Sequence, residues 1–310
     1  MSLYVNGRFV ESVDWSGSWY ADRQLQIGAT ARSGEVRRFF PGQISDVRLF
    51  ERVVTEYEVG QLFQQSPIVK GRWQFEEGGS STPDSSLEGN ALDLHGGAGI
   101  GEYMGRVDLH ALELDGSTGY AAAPTVPADT SASFTVAGWA QGVGALEEPA
   151  SLVSASGASE SAFAVRYVPD PDDPGWGEWQ VALPDQDTVG AQVTRVRSQT
   201  PHHAASWTHV AVVHDGFAKE VLLYLNGQLE EVVCADESEP DCAGGASWAE
   251  NVHTFQATHS LQVGRSRSAG AWGEHWPGAI DDLWFFQGAL TSRQVDYLSQ
   301  GVSGAPTTVP

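Results

Sequence analysis

The chain has 310 residues, with 17 Lys and Arg against 40 Asp and Glu, a formal net charge of −23. Phosphate binding needs clustered Lys and Arg, and the sequence has no such cluster, which excludes a nucleic-acid partner. No run of 18 apolar residues exists to span a membrane, while a hydrophobic content of 41% is enough for a packed core.

Length alone suggests two domains. Glycine (35) and proline (15) together make up about one residue in six, which favours many short strands joined by turns. The chain also repeats itself. Leu3-Tyr4-Val5-Asn6-Gly7 recurs as Leu223-Tyr224-Leu225-Asn226-Gly227, and Leu25-Gln26-Ile27-Gly28 recurs as Leu261-Gln262-Val263-Gly264. Pro41 to Val47 matches Pro277 to Leu283, and Thr55, Val59 and Leu62 match Thr291, Val295 and Leu298. The offset grows once, from 220 to 236, between the Asn-Gly turn and the Leu-Gln segment. The second copy therefore carries a 16-residue insertion, which holds both cysteines.

Residues 1–66 match only the back part of a unit that occupies 67–303. The chain is accordingly expected to begin inside a domain, as a piece of a longer multidomain protein. No basic and apolar leader is visible at its start, and residues 304–310 read as a linker or tail. A half-unit of this kind exposes strand edges, so residues 1–66 are expected either to pack against the full unit or to drive dimerisation.

From residue 70 onward the signals are short strands. Arg72–Glu76 alternates at period 2, and Ala111–Leu114 leads into the turn pair Asp115-Gly116. Ser133–Trp139 and Ser151–Ser154 follow. Trp207–His214 and Glu220–Leu225 are apolar on both sides, hence buried, and the second ends at the hairpin turn Asn226-Gly227. One segment reads as a helix, capped by Thr291 and running through Val295 and Leu298 toward Gly301. The pattern predicts an all-β fold, an antiparallel two-sheet jelly-roll sandwich, preceded by the partial copy.

Cys234 and Cys242 fit neither a four-ligand zinc site nor a C-x-x-C redox motif. They read as a disulfide closing a polar loop, with two free thiols as the alternative. A disulfide would place the chain in an oxidising compartment, extracellular or at the cell surface.

The motifs in order carry a family resemblance. Arg72-Trp73-Gln74-Phe75-Glu76-Glu77-Gly78 with Pro83-Asp84-Ser85-Ser86, then Leu112–Tyr120, Phe134–Trp139, Trp207–Val210, Leu223–Gly227 and Pro277–Leu283, resemble laminin-G-like domains of the concanavalin A-like superfamily. Bacterial secreted proteins, large actinobacterial ones especially, carry such domains in tandem. The resemblance implies an extracellular binding or adhesion module, whose partners would be a glycan, an extracellular protein or neighbouring modules of the same polypeptide.

Calcium is the cofactor this resemblance implies. In glycanase relatives a structural calcium sits between the first strand and an Asp before the last, positions that fall at Glu76 or Glu77 and at Asp281. Asp115 is a second candidate through the laminin-G resemblance. The alternatives are an Asx-turn for Asp115 and backbone hydrogen bonding for Asp281.

Enzymatic readings find little support. Glycanases of this fold align catalytic carboxylates on one strand as E-x-D-x-x-E, and no predicted strand has that triplet. His209 and His214 are five apart on one strand, therefore on opposite faces, and cannot share a metal. Neither H-E-x-x-H nor G-x-S-x-G occurs.

Sugar recognition remains, because aromatic rings stack on sugar C–H faces. Trp176 and Trp179 lie in the Pro- and Asp-rich segment 169–179, and Trp272 and Trp276 lie in the glycine-flanked segment 269–276. Both segments are expected to be loops. Packing of these rings over a sandwich end is the competing reading. Residues 1–66 hold seven Arg and eight Asp or Glu, so the remainder carries −22 and favours a neutral glycan, a protein or a cation-bridged ligand. The sequence thus supports a non-catalytic binding module, with a structural spacer and a glycanase of the same fold as alternatives.

Overall fold

The computed structural model of the chain describes residues 1–17, 25–32, 35–42, 44, 47–64, 67–86, 88–102, 105–229 and 247–301. Cys234 and Cys242, with the rest of their loop, lie outside the described residues. The chain divides into two compact units, Met1–Phe63 and Gln64–Pro310.

In the larger unit, alternating sequences pair into two antiparallel nine-stranded sheets. The front sheet runs, in spatial order, Gln228–Leu229, Glu220–Leu225, Thr208–Asp215, Phe134–Gly142, Pro277–Gln287, Ala111–Asp115 and Gly99–Gly101. Trp248–Glu250 joins it beside Glu220–Leu225, and Ile68–Trp73 pairs with the far half of Pro277–Gln287. The back sheet runs Val193–Arg197, Trp176–Pro184, Ser161–Pro169, Ala150–Ser156, Leu261–Val263, Tyr120–Ala123, Leu92–His95 and Ser81–Thr82, with His202–His203 on Trp176–Pro184.

The core forms where the inward-facing positions of the two sheets meet. Phe134, Val136, Val210, Val212, Ile280, Leu283 and Phe285 from the front pack with Val153, Phe163, Val165, Tyr167, Trp179 and Val181 from the back. Phe134 stacks on Phe163 at 4.9 Å and meets Phe285 edge-on at 6.1 Å, geometries that add to simple area burial. The opposite face of the front sheet is buried as well. Ala211, Val213, Tyr224, Trp284 and Phe286 lie with Val295 and Leu298 of the helix Ser292–Ser299 in a second cluster. Burial on both faces explains the unbroken apolar run Val210–Val213 at the centre of Thr208–Asp215.

That helix starts as its sequence predicts. Thr291 accepts from the Gln294 N–H while the Gln294 side chain accepts from the Thr291 N–H, a reciprocal capping box.

Three features of the larger unit differ from the sequence reading. The strand expected at 72–76 runs Ile68–Trp73 instead, because Phe75 adopts a positive φ of 55° that ends the extended run. The strands Ser161–Pro169, Trp176–Pro184 and Val193–Arg197 were not anticipated. Only residues 170–175 of the Pro- and Asp-rich segment form the short connection between the first two, closed by an Asp170 N–H to Trp176 carbonyl bond of 2.8 Å.

The smaller unit contains the hairpin Ser2–Val5/Arg8–Ser12, a second hairpin Thr30–Arg32/Glu35–Arg37 and the helix Glu56–Gln64. Asn6 and Gly7 take φ values of 52° and 73°, close to the 51° and 83° of Asn226 and Gly227, so the repeated dipeptide makes the same turn twice. Thr55 and Glu58 form the capping box that Thr291 and Gln294 form in the larger unit. An Arg52 hydrogen bond to Glu58, aided by Thr55, lowers that carboxyl to about 2.

Burial separates the copies. Leu261 and Val263 are fully buried between Tyr120–Ala123 and Ala150–Ser156. Their counterparts Leu25 and Ile27 are exposed, Leu25 at 70%, as are Leu3, Ile44 and Val47. Equal substitutions should therefore have unequal costs. Leu261→Ala is expected to lose about 2–5 kcal/mol in urea unfolding, and Leu25→Ala less than about 0.5. Equal losses would show that Leu25 is buried in solution.

Candidate functional site

One broad sheet surface of the larger unit is covered neither by the core nor by the helix: the outer face of the back sheet. Strand register fixes what it carries. One row across the sheet runs Asp93, Ala122, Gln262, Ser154, Ala164, Ala182 and Arg195. An adjacent row includes the pair His95 and Tyr120 and the run Ser151, Arg166, Gln180 and Arg197. The middle of the first row is small and buried, with the Ser154 hydroxyl donating to the Arg265 carbonyl, so exposed side chains stand at its two ends and on the adjacent row.

A stack of π systems borders this row. His95 lies on Tyr120 at 4.6 Å, and the Arg265 guanidinium lies over the Tyr120 ring at 3.2 Å and over Trp272 at 4.1 Å. Arg267 lies over the same Trp272 ring at 5.2 Å. Cation–π contacts of this kind fix the guanidinium plane. Gln262 aligns it further, its Oε1 accepting from Arg265 Nε at 2.7 Å while its own Nε2 donates to Ser260 Oγ. Burial lowers the Arg265 pKa from its ordinary value; Tyr120 opposes that shift and Arg267 adds to it.

The local backbone explains the stack. After Leu261–Val263, Gly264 takes φ 86°, and a Cβ there would run into Leu114, so the chain turns where only glycine fits. The hairpin Ser266–Ser268/Ala271–Gly273 follows, with Arg267 opposite Trp272. Its tip is tied down, the Ala269 N–H donating to Glu160 Oε1 and the Gly270 N–H to the Ser159 carbonyl. The 158–160 loop is held in turn by Asp187, which accepts from the Ala158, Ser159 and Glu160 N–H groups. Glu274 closes the hairpin's base, pairing with Arg166 at 2.7 Å and accepting from the Ser151 and Ser266 hydroxyls.

The predicted aromatic residues divide. Trp272 is 36% exposed within the stack, and Trp176 is 44% exposed with its ring edge-on to His203. Trp179 and Trp276 are instead core residues, stacked on each other at 5.5 Å, which corrects the expectation that loops carry them. Period 2 along Trp176–Pro184 turns Trp179 inward with Val181 and Leu183. Tyr120, Arg265 and Arg267 were missed. The signal for Tyr120 was its place beside a turn on a predicted motif; the arginines carry no local signal, because register alone brings them to Trp272.

Three of the four predicted calcium ligands serve separate backbone tasks. Glu76 Oε1 accepts from the Leu109 and His110 N–H groups while Oε2 faces His110 Nδ1 at 3.0 Å. Glu77 is exposed. Asp115 accepts from the Thr118 hydroxyl and from the N–H groups of Ser117, Thr118 and Gly119, an Asx-type turn that holds its carboxyl well below the usual range. Asp281 is fully buried and accepts from the Arg106, Val107 and Asp282 N–H groups; burial pushes it up to about 7 against those bonds. Carboxylates ringed by N–H donors do not fit a shared cation, and no group of three His, Cys, Asp or Glu able to hold a metal occurs among the described residues.

His209 and His214 do lie on opposite faces of their strand. His214 joins Phe134 on the core side, and His209 meets Trp139 on the other.

A laminin G family model, described as the concanavalin A-like lectin/glucanases superfamily, matches residues 1–60 and 115–296. The chain belongs to that family. Among solved structures, domain 4 of AbnA, a GH43 extracellular arabinanase from Geobacillus stearothermophilus in complex with arabinotriose, aligns at TM-score 0.55 and 18% identity. The alignment covers 76% of this chain and 100% of that domain. The Trypanosoma rangeli sialidase in complex with sialic acid aligns at TM-score 0.51 and 14% identity, covering 74% of this chain and 32% of that one. At these identities the likeness is one of fold. No curated protein matches the sequence. No helix among the described residues is long and apolar enough to cross a membrane.

In this laminin G-like domain, burial lowers His209 to about 3, with the Arg106 charge adding to the effect. Its folded value lies below the unfolded one, so the stability tied to the neutral ring is present above pH 6.5 and lost as pH falls toward 3. His209→Gln should flatten the pH dependence of unfolding free energy below pH ~6 by one proton, about 1.4 kcal/mol per pH unit. Urea unfolding at pH 5 and 6 measures it; an unchanged slope would mean a solvated His209.

Proposed function

We propose that the larger unit is a non-catalytic extracellular glycan-binding module whose binding surface is the outer face of the back sheet. The partly exposed Tyr120–Arg265–Trp272 stack beside Ala122 carries this reading. The exposed part of the Trp272 ring supplies apolar contact, and Gln180 and the arginines supply donors for hydroxyl groups, the composition a sugar surface needs. On this face Glu274 is paired to Arg166 and Glu178 to Arg197, an arrangement that supports binding over acid–base catalysis. Calcium has no part in this reading.

Trp272→Ala is expected to weaken the strongest glycan-array ligand at least tenfold, with binding retained in EDTA. Silence across the array would favour a structural spacer, and reducing-sugar release would restore the glycanase. The exposed apolar side chains of residues 1–63 support self-association through that unit. Sedimentation should then show a dimer, and a monomer at 100 μM would refute self-association.

A further inference from the structure

We propose that this face takes a glycan bearing isolated carboxylate groups, with Arg265 and its neighbouring arginines as the acid-binding residues. The proposal rests on the reading of the face as a glycan surface and adds the chemical class of the ligand.

Charge distribution is the first support. Residues 64–310 contain ten Lys and Arg against 32 Asp and Glu. Half of those ten cations, Arg166, Arg195, Arg197, Arg265 and Arg267, stand on the back sheet's outer rows or on the hairpin beside them. The carboxylates at the same outer strand positions and against the hairpin are Asp93, Glu160, Glu178 and Glu274, four against five arginines. A domain of net charge −22 thus carries one face on which arginines outnumber acids. The neutral ligand expected from net charge ignores this local field.

The state of these arginines is the second support. Arg166 is paired to Glu274 at 2.7 Å, and Arg197 is held more loosely by Glu178 at 3.6 Å. Arg195 is exposed and makes no ion pair among the described residues. Arg265 is fixed by two rings and an amide, none of which neutralises it. A guanidinium held in plane without a carboxylate of its own is arranged for the bidentate fork a carboxylate matches. The surrounding negative charge repels a dense polyanion, which leaves a sugar chain with sparse acid groups.

The test uses the full chain and a panel of oligosaccharides containing one glucuronate or galacturonate, each beside its counterpart with the carboxyl reduced to an alcohol. The acids should bind at least tenfold tighter than their reduced partners by calorimetry, and the difference should shrink in 0.5 M NaCl. Arg265→Lys, which keeps the charge but loses the fork, should abolish most of the difference, and Arg195→Gln, four strands away, should leave most of it in place. Near-UV circular dichroism would confirm that both variants keep their packing. Equal binding of acid and reduced forms would overturn the carboxylate assignment and leave the glycan reading standing. Binding of neither form would count against both, and tighter binding of heparin than of any single-acid sugar would refute the sparse-acid ligand.

Discussion

The fold of the larger unit hangs on the strand Pro277–Gln287 and the irregularity at its middle. It pairs with Phe134–Gly142 on one side and with both Ala111–Asp115 and Ile68–Trp73 on the other. The register slips opposite Gly138, where Asp282 takes a φ of 41°. A Cβ on Gly138 would press on Leu283 at 3.0 Å, so the slip needs a glycine across from it. The consequence is chemical. Asp281 gathers the backbone of residues 106 and 107, and Asp282 pairs with Arg72 at 2.8 Å with both side chains buried. Arg72 also lies over Trp284 at 4.1 Å. Burial raises the Asp282 carboxyl, and Arg72 opposes it. Removing one partner of such a pair costs about 3–5 kcal/mol because the other charge stays buried. This pair ties residues 210 positions apart and closes the front sheet.

Closure of the front sheet determines where function can sit. Its inner face meets the core and its outer face lies under the 292–299 helix and the loop around Arg106. The carboxylates Asp115, Asp281 and Asp282 of the sequence motifs are spent on that framework. The surface we propose for recognition is the back sheet's outer face, where the appended hairpin brings Trp272 onto Arg265.

Much of this architecture was legible in the sequence. The Asn-Gly turns, the helix capped by Thr291 and the strands at 134–139, 207–214 and 220–225 follow from local chemistry and short-range period. The hairpin arms 161–169 and 176–184 were obscured by the run of Pro and Asp between them, which read as a long loop although only a tight connection is needed. Trp179 carried a readable signal in its alternation with Val181 and Leu183; Trp276 did not, since it precedes Pro277 outside any alternating run. Of the Tyr120–Arg265–Trp272 stack only Trp272 was read as a candidate; its assembly with Tyr120 and Arg265 was not legible. That assembly depends on a glycine-permitted turn at 264 and on pairing between Tyr120–Ala123 and Leu261–Val263, far apart in the chain. For Glu76, Asp115 and Asp281, the sequence showed carboxylates at loop junctions, and only the hydrogen bonds show that N–H groups occupy them.

Hydrogen–deuterium exchange of the full chain, with and without a saturating single-glucuronate oligosaccharide, tests the placement of the binding face most directly. Protection is expected in peptides covering 120–123 and 261–273, with those covering 115–119 and 277–283 unchanged. Protection confined to 115–119 or 277–283, or none anywhere under saturation, would contradict it.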